Sequence, residues 1–353
     1  MKILVTGNMG YVGSVVVEHL RAVFPSAVID GYDAGFFGPC LTGTDVLPEC
    51  RLDEQLFGDV RGFDGTLLKG TDAVVHLAAI SNDPIGNAYE RVTYQINHVA
   101  TVKLAAMARA AGVRSFVFAS SCSLYGFADG RPRTERSALE PLTPYARSKA
   151  LAEGDLRRLA APDFRVTSLR FATACGMSPR LRLDLVLNDF LACAVAGQTI
   201  TVLSDGTPWR PLIDVADMAR AVEWAIQREP AGDEHGFLAV NVGTDTWNFQ
   251  IKDLAAAVAA RVAGGRVAIN GAAPPDRRSY RVAFGLFKRL APHHQPAADL
   301  DASIVRLRDS LLAMSFRDGS FRDSGLMRIN HLTRLREKGI LDEELRWTRR
   351  MAA

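Results

Sequence analysis

The stretch Lys2-Ile3-Leu4-Val5-Thr6-Gly7-Asn8-Met9-Gly10-Tyr11-Val12-Gly13 decides how this chain is read. Lys2 to Thr6 is apolar and β-branched enough for a buried strand, and helical periodicity follows from Gly13 to Val23. A glycine-rich turn between a strand and a helix is the setting that a dinucleotide fingerprint requires. In that setting Gly7 permits the tight turn, Gly10 lets the backbone approach a diphosphate, and Gly13 lets the helix pack on the sheet. The predicted cofactor contacts are therefore Gly7, Asn8, Met9, Gly10, Tyr11, Val12 and Gly13, with phosphate at the helix N-terminus.

About 20 residues further on, Gly31-Tyr32-Asp33 ends the next apolar run and supplies a carboxylate for ribose hydroxyls, with Asp30 as the competing candidate. A carboxylate there repels a 2′-phosphate, and no basic residue lies between Arg21 and Arg51 to neutralise one. NAD is favoured over NADP on that ground. Asp59 and Val60, after the expected third strand, are placed beside the adenine.

Strand-like runs at Lys2–Thr6, Ala27–Tyr32, Ala73–Ala78, Ser115–Ser120 and Val166–Phe171 alternate with helix-like stretches at Gly13–Val23, Tyr94–Ala111 and Pro144–Ala160. This order predicts an α/β fold, a doubly wound parallel sheet with helices on both faces, and ligands beyond the carboxyl ends of its strands. Residues 1–175 form the expected cofactor domain, to which segments near 214–228 and 237–262 return. Residues 176–300 read mainly as a smaller C-terminal substrate-binding lobe, and 301–353 have no assigned role.

The chain has 353 residues, with 42 Lys and Arg against 39 Asp and Glu, and no run of like charges. That balance points to a small-molecule substrate rather than a nucleic acid or a membrane. Met1 leads straight into a strand, with no leader pattern and no apolar run of membrane-spanning length. Cys40, Cys50, Cys122, Cys175 and Cys193 are odd in number and lack metal-ligand spacing, so a reduced cytoplasm and no metal are expected.

Tyr145 and Lys149 stand four apart in Thr143-Pro-Tyr-Ala-Arg-Ser-Lys149, on one face of a helix. An ammonium so placed can lower the phenol's pKa toward working pH. Just before them, Phe116-Val-Phe-Ala-Ser-Ser121-Cys-Ser-Leu-Tyr125-Gly126 reads as a buried strand opening into a hydroxyl-rich loop. With the glycine turn, Val75-His-Leu-Ala-Ala79, Asn97, Leu169-Arg-Phe171, Arg210 and Asn241-Val-Gly243, these elements lie in an order that resembles the extended short-chain dehydrogenase/reductase family. The resemblance is specifically to its NAD-dependent sugar-nucleotide epimerase/dehydratase branch, and it implies a Rossmann-type fold.

The resemblance implies that Tyr145 is the general base at a sugar hydroxyl, that Ser121 hydrogen-bonds that hydroxyl, and that Lys149 holds the nicotinamide ribose while keeping Tyr145 partly ionised. It adds Leu77, Ala78, Ala79, Asn97, Ser120 and Phe171 to the cofactor contacts. Arg210 is implied as a clamp on the substrate diphosphate, with Asp276-Arg277-Arg278 as a second clamp or a solvated loop. Ser81 and Asn82 are expected to enter the pocket, with Asn82 or Asp83 on sugar hydroxyls or else in an Asx turn before Pro84. His76, in an apolar strand, reads as structural.

Two departures bear on the reaction. Relatives that remove water carry an Asp-Glu pair where this chain has Cys122-Ser123, so ordinary 4,6-dehydration is disfavoured. Cys122 is either packing or an acid/base beside a transient ketone, and Thr173 replaces an asparagine common near the substrate diphosphate. The resulting expectation is an NAD-dependent epimerase of a nucleotide-linked sugar, acting by transient oxidation. A dehydratase, a C3/C5 epimerase, a ketoreductase and a non-catalytic dinucleotide sensor are the alternatives. The family's homodimer would pair helices near Tyr94–Ala111 and Pro144–Ala160.

Overall fold

The computed structural model describes residues 1–127, 130–229, 236–273 and 278–348. Strands β1 (Lys2–Thr6), β2 (Val28–Asp33), β3 (Glu54–Phe57), β4 (Ala73–His76), β5 (Ser115–Ser121) and β6 (Arg165–Phe171) follow the predicted alternation. Beyond them come β7 (Thr173–Cys175), β8 (Ile200–Val202), β9 (Trp209–Asp214), β10 (Phe237–Val242), β11 (Asn248–Gln250) and β12 (Val267–Ile269). The main sheet has seven strands in the order β10-β6-β5-β4-β1-β2-β3, and every neighbouring pair is parallel. This is the doubly wound Rossmann arrangement, whose order reverses between β1 and β4 and opens a crevice there.

Because successive strand residues face opposite sides, the sheet feeds two cores. Ile3, Val5, Val75 and Val117 face one core with Val16, Val17 and Leu20 of the helix Tyr11–Val23, which packs on the helix Val215–Gln227. Leu4, Val74, Phe116 and Phe118 face the other with Leu104 and Leu156 from the helices Thr101–Ala110 and Pro144–Leu159. The stretch expected as one helix from Tyr94 is instead a helix Glu90–Tyr94, a π-helical turn Gln95–Ala100 and the helix Thr101–Ala110. A π-turn places Asn97 off the regular helical repeat, and such turns gather at functional sites.

The smaller lobe holds the three-stranded sheet β11-β9-β7, the pair β12-β8 and the helices Val186–Val195 and Ile251–Ala259. The segment 237–262, expected to return to the cofactor domain, divides between the main sheet and the smaller lobe. β10 joins the main sheet as its seventh strand, but the helix Ile251–Ala259 packs on Val186–Val195 and on β8, where apolar lobe side chains cover it.

The segment after residue 300 acquires a place. Its helix Leu300–Ala313 packs on Val186–Val195, and its helix Arg328–Glu337 crosses back to the N-terminal half. There His331 Nε2 donates to the Phe36 carbonyl at 2.7 Å, and Trp347 Nε1 donates to the Ala34 carbonyl at 2.6 Å. Among the described residues no helix is long and apolar enough to cross a membrane.

Candidate functional site

Two clefts open beyond the carboxyl ends of the strands, and they share a wall made by Tyr11, Val12, Leu77, Ala79, Ser81 and Arg182. The first, with about 1020 Å³ of empty space, is bounded by the glycine turn, Asp33, Asp59, Val60 and Ala78. Gly7 sits at φ +77°, and a Cβ there would lie 2.5 Å from the Ala78 nitrogen. A Cβ on Gly13 would lie 2.2 Å from the Gly7 carbonyl, so both positions exclude a side chain. Gly10 caps the helix Tyr11–Val23 with no side-chain hydrogen bond and leaves the cleft wall bare. The first-turn N–H groups are thus left for an anion.

Asp33 accepts N–H bonds from Met9 at 3.0 Å and Gly35 at 2.8 Å, yet burial holds its pKa above the ordinary carboxylate value. Its rival Asp30 is buried in an ion pair with Lys2 at 3.1 Å and does not line the cleft. Asp59 and Val60 lie on the wall as expected, the Asp59 carboxylate accepting from Arg61 Nε at 2.9 Å. The donor set fits a dinucleotide: bare backbone at the turn, a carboxylate at the next strand end, and an apolar slot beyond it.

Several expected cofactor contacts do something else. Asn8 turns away from the cleft and donates from Nδ2 to Gln55 Oε1 at 2.6 Å, while the Met9 side chain is buried off the wall. Asn97, fully buried, holds the loop after β4 by accepting from the Ile80 N–H and donating to the Ile80 carbonyl, both at 2.8 Å, and it also donates to Ser148 Oγ at 3.1 Å. It shapes the cleft without lining it. Ser120 lines the second cleft, but its hydroxyl donates to Glu153 at 3.0 Å. His76 is structural, bridging Thr6 Oγ1 at 2.7 Å and Thr101 Oγ1 at 2.8 Å, with burial lowering its pKa to about 3.

The second cleft, about 1390 Å³, gathers Ser121, Ser123, Tyr145, Lys149, Phe171 and Thr173. Thr143 caps the helix Pro144–Leu159 by accepting from the Ala146 N–H at 3.2 Å, which fixes Tyr145 in the first turn. Tyr145 and Ser121 line this cleft together, and Ser121 Oγ accepts the Ser123 N–H at 3.1 Å. Lys149 lies one turn below and donates to the Ala119 carbonyl at 2.8 Å, its ammonium 4.6 Å from the centre of the Phe118 ring.

The electrostatics differ from the expectation for this pair. Burial pushes Tyr145 up to about 12, with Ser121 and then Arg182 pulling the other way. Burial also lowers Lys149 to about 7. Desolvation outweighs any mutual help, because each group leaves water for an apolar wall. Without a cationic ligand beside it, Tyr145 is a neutral phenol.

Of the two readings of Cys122, packing or acid/base, its surroundings favour packing. Its side chain is fully buried, lines neither cleft, and donates to the Arg170 carbonyl at 3.1 Å, with burial pushing the thiol pKa up. Cys122 opens a short 3₁₀ turn, Cys122–Tyr125, that aims its side chain at the core and its neighbours Ser121 and Ser123 at the cleft. Under that turn, Glu153 accepts from Ser120, Ser168 and Arg170, and Arg170 donates onward to the Tyr125 hydroxyl at 3.0 Å.

On the lobe side, Arg210 lines the cleft, donates to the Trp209 carbonyl at 2.9 Å and lies 5.8 Å from the Tyr280 ring centre. Arg278 lines it too and donates to Asp83 at 2.8 Å across the mouth. Asp276 and Arg277 lie outside the described residues. Ser81 accepts from Arg182 at 2.9 Å. Asn82 is the N-cap of the next helix, accepting from the Ile85 N–H at 2.9 Å, and donates to Asp184 at 2.5 Å, so its side chain is engaged within the protein. Arg182, Asp184, Tyr280 and Arg328 also wall the clefts, although nothing in their local sequence marked them.

Among the described residues, no group of three or more His, Cys, Asp or Glu is placed to hold a metal ion. The profile of the NAD dependent epimerase/dehydratase family matches residues 3–243. The chain is 31% identical over 268 residues to the UDP-glucose 4-epimerase of Streptomyces lividans, covering 72% of this chain and 78% of that one. It is 28% identical over 284 residues to the UDP-glucose 4-epimerase of Rhizobium leguminosarum bv. trifolii, covering 72% and 80%. Its fold matches MoeE5 in complex with UDP-glucuronic acid and NAD, with a TM-score of 0.76 at 24% identity over 89% of this chain and 99% of that one. UDP-glucuronic acid 4-epimerase from Bacillus cereus matches with a TM-score of 0.72 at 21% identity, over 89% and 100%. With its glycine turn, strand-end carboxylate and Ser-Tyr-Lys constellation in place, the chain belongs to the NAD-dependent epimerase/dehydratase family and is an NAD-dependent enzyme.

Proposed function

We propose that this protein inverts a hydroxyl-bearing carbon of a nucleotide-linked sugar. The observation that carries the reading is the shared wall of the two clefts, which sets the Ser121–Tyr145–Lys149 constellation beside the dinucleotide cleft. NAD, when bound, supplies a reversible hydride acceptor and a positive charge. Tyr145 takes the hydroxyl proton as the carbon is oxidised and gives it back on reduction, with Ser121 holding the same hydroxyl. The charge brought by the ring opposes the burial that keeps Tyr145 protonated. Arg210 and Arg278 suit the substrate diphosphate, Arg278 by exchanging its Asp83 partner, and Thr173 and Ser123 face the sugar.

Relatives that carry the name UDP-glucose 4-epimerase support a uridine diphosphate sugar as the substrate. The burial of Cys122 weighs against a dehydratase or a C3/C5 epimerase that would use its thiol. The test is turnover of UDP-hexoses and UDP-pentoses followed by NMR. Inversion without accumulation or consumption of NADH is the expected result. Stoichiometric NADH change would replace the epimerase by a dehydrogenase or ketoreductase.

The same reading pairs two copies through the helical layer around Gln95–Ala100 and Pro144–Leu159. Val99 at 44% and Leu151 at 49% exposure are large apolar side chains left on that layer. Sedimentation equilibrium should return twice the chain mass, and a monomer at micromolar concentration would refute the pairing. The five free thiols suit a reducing cytoplasm.

A further inference from the structure

We infer that Arg328, carried by the C-terminal segment, is a ligand for the diphosphate of the bound dinucleotide, closing the cofactor cleft from the side opposite the glycine turn. Arg328 begins the helix Arg328–Glu337 and is 3% exposed, yet it lines the same cleft as Gly7, Gly10 and Asp33. Its NH2 donates to the Arg180 carbonyl at 2.8 Å, and its guanidinium lies 4.6 Å from the centre of the Phe37 ring. Its NH1 is buried without a hydrogen-bond partner.

A buried guanidinium with an unused donor is costly unless an anion meets it. The carboxylates nearby are already engaged. Asp184 is paired with Arg182 at 2.9 Å, and Glu49 is paired with Arg180 at 2.8 Å. Among the described residues Arg328 forms no ion pair, and burial depresses its pKa to about 10. The cleft it lines is also lined by the open N-terminus of the helix Tyr11–Val23. Two positive ends therefore converge on one slot, and a diphosphate carries two negative charges and a row of acceptors to meet them. Arg182 lines both clefts.

The segment that delivers Arg328 is fastened over the same cleft. His331 and Trp347 bond the carbonyls of Phe36 and Ala34, Trp347 packs on Phe36 at 5.5 Å, and Leu332 is fully buried beneath the helix.

The test uses full-length holoenzyme and reads nucleotide binding, so it stands apart from whether the enzyme is an epimerase. Bound NAD is exchanged against isotopically labelled NAD, and ADP and adenosine are compared as competitors. Arg328→Met keeps the stem over Phe37, and Arg328→Gln keeps a donor for the Arg180 carbonyl. Both should exchange NAD about tenfold or more faster, and the advantage of ADP over adenosine should fall by a similar factor while adenosine itself is unmoved. Arg328→Lys should recover part of that advantage. Equal weakening of ADP and adenosine would mean that the arginine only packs the wall, and unchanged exchange would remove it from the site. A loss seen with NADP but not with NAD would assign the guanidinium to a 2′-phosphate instead. Each of those three results overturns the inference.

Discussion

Tyr145→Phe is expected to lower kcat by about 10²–10⁴-fold, the usual range for losing a positioned acid/base, while the variant still carries NAD. Phenylalanine keeps the ring that fills the cleft wall and removes only the hydroxyl that meets Ser121. Cys122→Ala is the companion variant. Its thiol faces the core and donates to a backbone carbonyl, so the change costs packing but should leave kcat close to wild type. Steady-state kinetics on both decide the assignment. A fall with Cys122→Ala as deep as that with Tyr145→Phe would restore the thiol as a catalyst, and full activity in Tyr145→Phe would remove the phenol.

The second large effect is on stability. Glu153→Ala should cost about 3–5 kcal/mol, the range for stranding one partner of a buried ion pair. Glu153 and Arg170 each have side chains only 4% exposed, and Glu153 also accepts from Ser120 and Ser168. Removing it takes the carboxylate partner from the buried Arg170 cation and the acceptor from two hydroxyls, beside the Cys122–Tyr125 turn. Urea denaturation measures the loss. Activity should fall with it, because Arg170 also fixes Tyr125, whose hydroxyl donates to Asn241 at 2.6 Å. A loss below about 1 kcal/mol, typical of an exposed pair, would show that water reaches the network.

What the sequence made legible follows physical range. The glycine turn, Asp33 and the Tyr145–Lys149 spacing are local patterns, and local geometry fixes their meaning. Cys122 was ambiguous because it sits where an extended strand becomes a 3₁₀ turn, so neither a period of two nor one of 3.6 states its facing. Asn97 entered through the resemblance, and its bonds to the Ile80 backbone from within a π-turn are long-range contacts that no local pattern states. The Tyr145 and Lys149 shifts run opposite to the spacing argument, since desolvation depends on everything that surrounds a group. The absence of basic residues between Arg21 and Arg51 is true along the chain and not in space, where Arg180 and Arg328 come up to that region.

The wall that carries Arg328 also differs from the rest of the cleft in when it can form. β1 pairs with β2 from Lys2 and Val28 onward, a closure within the first few dozen residues, whereas the Trp347–Ala34 bond joins positions 313 apart. Contacts of such separation form late, after the elements between them have folded. The wall lies outside the sheet ladder and combines surface bonds with the buried Leu332, Leu341 and Leu345, so it can open without breaking a strand pair. The cofactor cleft is therefore bounded by contacts at both extremes of sequence separation, one in the sheet ladder and one reaching back from the C-terminal segment.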